Sequence, residues 1–273
     1  MTFRPRQSPL IAASLLVLGA GACASRQAED LAYIERPVEQ LYLTGTDALE
    51  RNRYLEAIQH FNEVERQHPY SEWAQRAQVM SAYTSYKQRD YEAAIAGARR
   101  YLDFNPASDS APYAYYIIAI SHFDQIVDVG RDQGTTESAK AALTDVVRRF
   151  PETDYARDAQ LKLDMVNDQL AGKEMTVGRW YLREGQHVAA LNRFRTVVAD
   201  YATTSHSPEA LYRLVEGYLT LGLTEEAKSA AAVLGHNHAD TQWYADAYTL
   251  LAGQGVQVDE APETRRKRFL GIF

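Results

Sequence analysis

The chain copies part of itself. FNEVERQHPYSEWAQRAQ, starting at Phe61, aligns with LTDVVRRFPETDYARDAQ, starting at Leu143, at a constant offset of 82 residues. Val64 meets Val146, Pro69 meets Pro151, Ser71 meets Thr153, Trp73 meets Tyr155, and Ala77-Gln78 meets Ala159-Gln160. A fixed offset with matching residue types restricts the fold to repeated supersecondary units, each too small to bury its apolar face alone. Weaker copies put Pro106, Ala202 and Ala239 at the Pro69 position. The markers then stand at 69, 106, 151, 202 and 239, with intervals of 37, 45, 51 and 37 residues.

Between markers the apolar residues recur at helical spacing, as in Tyr54, Ala57, Ile58 and Phe61, or Tyr91 to Ala98. Small residues at Ala57, Ala94 and Ala189 allow two helices to approach, and a large neighbour fills the groove. Pro69, Pro106, Pro151, Gly185, Gly222 and Gly235 are expected to end helices. Ser207-Pro208-Glu209 predicts a helix start, with Ser as N-cap and Pro in the first turn. TGTDALERNRYLEAIQHFNEVERQHP, with Gly45, Ala48, Tyr54, Ala57, Phe61 and Pro69, resembles the tetratricopeptide repeat. The expected fold class is therefore all-α, a right-handed superhelix of about five tetratricopeptide-like helix pairs with an open concave face. A loop at Val129-Gly130-Arg131-Asp132-Gln133-Gly134 accounts for the 45-residue interval. A long first helix from about Asp154 to Glu184 accounts for the 51-residue one, with Gly172 and Gly178 offering a place for a break.

Cys23 is the only cysteine, so an intrachain disulfide is excluded. It follows a short start carrying Arg4 and Arg6, an apolar run of about 13 residues, and small residues from Gly19 to Ala22. That layout is a secretory signal, and the run is shorter than the ~20 residues a transmembrane helix needs. Gly21-Ala22-Cys23 resembles a bacterial lipobox, although Ala20 stands where Leu is usual. The alternative is plain secretion with an incidental cysteine. A lipobox implies a covalent lipid on Cys23, and Ala24 after it favours the outer membrane. Removing residues 1–22 takes away two arginines and no acid, so the remainder carries −9 against −7 for the whole chain. That balance argues against nucleic acid, which needs clustered positive charge.

Motifs for nucleophilic, zinc or phosphate chemistry are missing. His236-Asn237-His238 reads as a polar turn after a helix ending at Leu234-Gly235 rather than a metal site. Glu225 and Glu226 fit a helix start, where carboxylates meet the dipole. More than half of the 18 tyrosines are expected to fill space between helices, the rest to line a recognition face. Residues 253–263 read as a linker, before the basic-apolar segment TRRKRFLGIF. This segment is either a solvated terminus or one that docks on a partner or an anionic membrane surface.

Three local blocks carry a closer resemblance: His68-Pro69-Tyr70-Ser71-Glu72-Trp73; Val129-Gly130-Arg131-Asp132-Gln133; and Glu174 to Tyr181 followed by Gly185 and Val188 to Phe194. With the lipobox and the repeats, they resemble the BamD family of outer membrane assembly lipoproteins, from about Pro37 to Leu251. The resemblance implies a non-enzymatic part of the machine that inserts β-barrel proteins, anchored in the inner leaflet of the outer membrane and facing the periplasm. It implies no cofactor beyond the lipid on Cys23. Residues 1–22 would be the signal, 23–38 a linker, 39–252 the repeats and 253–273 a tail. Repeats 151–252 would hold the POTRA domain of the barrel-forming subunit, with Asn192 and Arg193 in that contact. Repeats 39–150 would receive unfolded outer membrane proteins, near His68, Tyr70 and Trp73, although the family usually has an aromatic at position 68. Other assembly lipoproteins would be further partners. Two rivals remain: a periplasmic repeat adaptor for cell-wall synthesis or division, which needs no lipid, and an enzyme with a helical accessory domain, which needs a catalytic domain the chain has little room for.

Overall fold

The structure, a computed structural model, describes residues 36–126 and 133–256. Among these residues there are eleven helices and no strands. They run α1 (Val38–Glu50), α2 (Tyr54–Gln67), α3 (Glu72–Lys87), α4 (Tyr91–Phe104), α5 (Ala111–Phe123), α6 (Gly134–Arg149), α7 (Asp154–Arg183), α8 (His187–Asp200), α9 (Ser207–Thr220), α10 (Thr224–His238) and α11 (Gln242–Gly253). Each helix packs on the next in sequence, and α1, α3, α5 and α7 also pack in succession. The architecture is thus five hairpins, α1–α2 to α9–α10, closed by α11.

Turn chemistry repeats with the hairpins. Within a hairpin, the first helix ends on a residue of positive φ: Asn52 (58°), Arg89 (65°), Gly185 (71°) and Gly222 (73°). The next amide then reaches back five residues, as in Arg53 N to Ala48 O at 2.8 Å and Gln186 N to Tyr181 O at 2.9 Å. This is the left-handed C-terminal cap that glycine adopts without strain. Between hairpins the second helix ends on His68, Asn105, Phe150 or Tyr201, all with φ near −133°. Pro69 and Pro151 follow, where proline blocks continuation. Ser71 and Thr153 then cap α3 and α7, accepting from Ala74 N at 3.1 Å and Ala156 N at 3.2 Å. Their hydroxyls also donate to His68 O and Phe150 O, each at 2.8 Å. The matched Ser71 and Thr153 are therefore the same cap in two copies.

Close approach sets each hairpin. A Cβ on Gly45 would stand 2.8 Å from Phe61 Cε1, and one on Gly178 would stand 2.5 Å from Phe194 Cε1. Both rings are fully buried, so neither can swing aside. In the second hairpin, Ala82 and Ala98 take the positions of Gly45 and Phe61, so volume given up by one helix returns on the other. Three buried clusters run along the chain: one around Phe61, one around Tyr101 and Ile117, and one from Ala119 to Leu251.

The long helix expected from about Asp154 to Glu184 is present: α7 is one continuous helix of 30 residues. It passes Gly172 and Gly178 without a break; each lies under a neighbouring side chain, His206 and Phe194 respectively. Two other expectations need correction. Gly235 does not end α10, which runs on to His238; a Cβ there would stand 2.6 Å from the Tyr244 ring. Ser207 is the first residue of α9 and is buried, and His206 occupies the cap position without a side-chain bond. Of the expected loop at 129–134, only Gln133 and Gly134 lie within the described residues, as the cap and first residue of α6.

Gly178→Ala is expected to destabilise the chain by about 1–3 kcal/mol, since the Phe194 ring is enclosed. Gly253→Ala, with nothing within 4 Å, is the matched control. Urea unfolding followed by helical circular dichroism reads both.

Candidate functional site

The Gly178–Phe194 contact brings two charged residues together. Glu174 lies one turn before Gly178 on α7, and Arg193 lies next to Phe194 on α8. Arg193 Nη1 donates to Glu174 Oε2 at 3.1 Å and to Oε1 at 3.4 Å. The hydrogen bond and charge of Glu174, helped by Tyr181, push the guanidinium further into its charged form. Its side chain is still 44% exposed, so a preset planar fork faces solvent. Asn192, also exposed, accepts from Arg195 Nη1 at 3.4 Å. At the α7–α8 turn, Trp180 is 47% and Val188 63% exposed. The Trp180 ring meets Tyr181 edge-on at 5.0 Å. Rigid aromatics, an aliphatic side chain and an arginine on one hairpin have the composition of a protein-contact surface.

The second set of residues lies at the α2–α3 turn. His68 is half-buried, its amide bonding Val64 O and its carbonyl taking both Ser71 donors. Tyr70 is fully exposed, at 101%. Trp73 is half-buried, its ring 5.0 Å from Tyr42 and beneath the Arg76 guanidinium at 5.3 Å. It ties α3 to α1, whereas Tyr70 stands free on the surface. One set lies at the junction of the first and second hairpins, the other on the fourth, and the two are not brought together. Cys23 lies outside the described residues.

Two further arrangements were not legible in the sequence. Tyr83, Tyr86, Tyr91, Tyr113, Tyr116 and Tyr155 form a run of rings across α3, α4, α5 and α7, with neighbouring centroids 5.3–6.3 Å apart. Tyr86 donates to Asp124 at 2.7 Å, and Tyr116 donates to Asp158, which Lys162 also binds at 2.7 Å. Burial raises the Tyr86, Tyr113 and Tyr116 phenols well above their usual value. Burial also works against ionised Asp158, but the bonds from Lys162 and Tyr116 outweigh it and hold the carboxyl below its usual range. The clustering of Tyr113, Tyr115 and Tyr116 in sequence was the available signal; the contributions of α3 and α7 were not visible. Of the described tyrosines, only Tyr70 and Tyr248 are exposed.

The second arrangement joins α7, α9 and α11. Arg179 on α7 binds Glu209 at 2.9 Å, Arg213 bridges Glu209 and Glu216, and its guanidinium lies over Tyr212 and Trp243. The spacing of Glu209, Arg213 and Glu216 was readable as a helix-surface series, but Arg179 was not.

His236 and His238 are two apart in the last turn of α10 and so do not face one another. No group of three or more His, Cys, Asp or Glu able to hold a metal occurs among the described residues. Nor is any described helix long and apolar enough to cross a membrane.

Residues 34–234 match the family model YfiO, described as outer membrane lipoprotein. The chain is 54% identical over 256 residues to the outer membrane protein assembly factor BamD of Caulobacter vibrioides, covering 93% of this chain and 84% of that protein. It is 42% identical over 240 residues to BamD of Rickettsia prowazekii, with 87% and 95% covered. A solved tetratricopeptide structure, the TPR2AB domain of yeast Sti1 in its complex, aligns at 13% identity with a TM-score of 0.42, covering 80% of this chain and 85% of that one. The chain therefore belongs to the YfiO family of outer membrane lipoproteins, which includes the BamD assembly factors.

Asp158→Ala is expected to lower the thermal midpoint at pH 7 by about 1–2 °C, a small effect because the carboxylate is partly solvated. A carboxyl held below its usual value stabilises above the unfolded-state value of 3.8 and loses that effect as pH falls through the folded-state one. The difference from the parent should therefore shrink below about pH 4 and persist at pH 6.

Proposed function

We propose that the chain is a non-enzymatic scaffold at the outer membrane that assists the assembly of β-barrel proteins, anchored by a lipid on Cys23. Its fourth hairpin, α7–α8, binds the last POTRA domain of the barrel-forming subunit. Its first hairpins receive unfolded outer membrane proteins, with Tyr70 as the solvent-facing aromatic and His68 and Trp73 shaping the turn that presents it. The observation that carries this reading is the Arg193 fork, fixed by Glu174 and open to solvent beside exposed Trp180 and Val188. A fork held in place before contact loses less side-chain entropy on binding a carboxylate or backbone carbonyl. The family membership and the relatives named as assembly factors support the same role.

Arg193→Glu reverses the charge and also repels Glu174, so it is expected to weaken binding of the barrel-forming subunit by about 2 kcal/mol, roughly 30-fold. Co-purification at graded subunit concentration reads the change, and unchanged binding with intact helicity removes Arg193 from the contact. Labelling with a fatty-acid analogue is expected to mark the parent chain and not Cys23→Ala; label on both would place the lipid elsewhere.

A further inference from the structure

Three grooves occupy equivalent places in the array, each between the second helix of one hairpin and both helices of the next. Their linings differ. The groove between α2, α3 and α4 is polar and already knit together: Ser81 donates to Asn62 at 3.1 Å, Gln78 donates to Glu65 at 2.9 Å, and Arg100 reaches Glu65 at 3.5 Å. The groove between α4, α5 and α6 mixes both charges, with Arg99, Asp103, His122 and Asp145 around its apolar floor. The groove between α8, α9 and α10 is apolar, lined by Val198, Leu211, Leu214, Ala230 and Val233, and encloses about 410 Å³.

The acids of this last groove lie on one rim, at the start of α10. Glu225 binds Lys228 at 2.8 Å, while Glu226 has no cation at ion-pair distance among the described residues. Arg195, near the opposite wall, is engaged by the Tyr218 hydroxyl at 2.8 Å. Val233 within the groove is 42% exposed, and apolar exposure continues beyond it at Leu221 and Leu223, which flank the Gly222 turn at 40% and 39%. An acidic rim on an apolar floor calls for a ligand with cations at one end and large apolar side chains at the other.

The chain carries such a segment. Arg265-Arg266-Lys267-Arg268 is followed at once by Phe269-Leu270-Gly271-Ile272-Phe273. Its tether leaves α11, which packs on both α9 and α10. From Val256 to Arg265 is nine residues, a reach of about 30 Å when extended. α10, at 15 residues, is about 22 Å long, shorter than that reach. An attached ligand also meets its site at high effective concentration, which favours it over an untethered competitor.

We propose that residues 265–273 dock in the α8–α9–α10 groove of their own chain. The basic run meets Glu225 and Glu226, and Phe269, Leu270 and Ile272 cover Val198, Leu211, Leu214 and Val233. The docked segment shields the last hairpin, and an assembly partner that takes this groove must first displace it.

Site-specific photo-cross-linking on the full chain in membranes tests this. With Phe269→benzoylphenylalanine, the proposal expects adducts within the monomer, joining the tail to α9 or α10 peptides. Glu225→Lys with Glu226→Lys is expected to reduce that adduct by about threefold or more. Glu152→Lys, an exposed acid at the α6–α7 turn, should leave it unchanged. Adducts to lipid, to a second copy or scattered over other repeats would overturn the proposal, as would a yield indifferent to the Glu225 and Glu226 reversals. Phe273→benzoylphenylalanine repeats the measurement from a second position, in case the first probe is too bulky for the groove.

Discussion

Everything in this array depends on how closely two helices of a hairpin can approach. Where the second helix carries a phenylalanine, the first must carry a glycine, because the ring of Phe61 or Phe194 occupies the space a methyl group would need. The two pairs stand 133 residues apart in each member, so this is one contact made twice. It fixes the axial register of the hairpin, and register is what places side chains on facing helices opposite one another. Glu174 and Arg193 meet because Gly178 and Phe194 interlock beside them. A shift of either helix would part the ion pair and turn the fork away. Packing at the centre of the hairpin thus determines the chemistry on its surface.

The hairpin count and the turn chemistry were legible because they depend on local rules. The 82-residue offset recorded the shared Ser71 and Thr153 caps, and Pro69 and Pro151 recorded helix ends. Gly235 read as a helix end, and Gly172 and Gly178 as places where a helix could break, yet each serves a contact with a side chain on another helix: Tyr244, His206 and Phe194 respectively. A glycine needed for backbone freedom and one needed for close packing are identical in a sequence. They differ only in what lies above them, and Gly185 and Gly222, with positive φ and open space around them, are the other kind. The candidate site was legible to the same degree. Glu174, Tyr181 and Arg193 were singled out and do come together, whereas the distinct settings of Tyr70 and Trp73 appear only when α1 is seen packing against α3.

Among the described residues, ion pairs mostly join neighbouring helices or successive turns. Buried aromatics and small residues stiffen the stack, while Tyr70, Trp180 and Val188 stay in solvent at turns of different hairpins. Under the proposed function, separation of this kind keeps the two partners from competing for one surface. Because each hairpin relies on its neighbours for its core, load at one place is borne by a short stretch of the array rather than by the whole.

Hydrogen exchange on the full chain, alone and with the barrel-forming subunit, tests the central claim most directly. The account predicts slowed exchange concentrated in the last turns of α7 and the first turns of α8, with the α2–α3 turn unaffected by that subunit and protected only when an unfolded outer membrane protein is added. Protection spread evenly along the array, or centred on the first hairpin when the subunit binds, would contradict it.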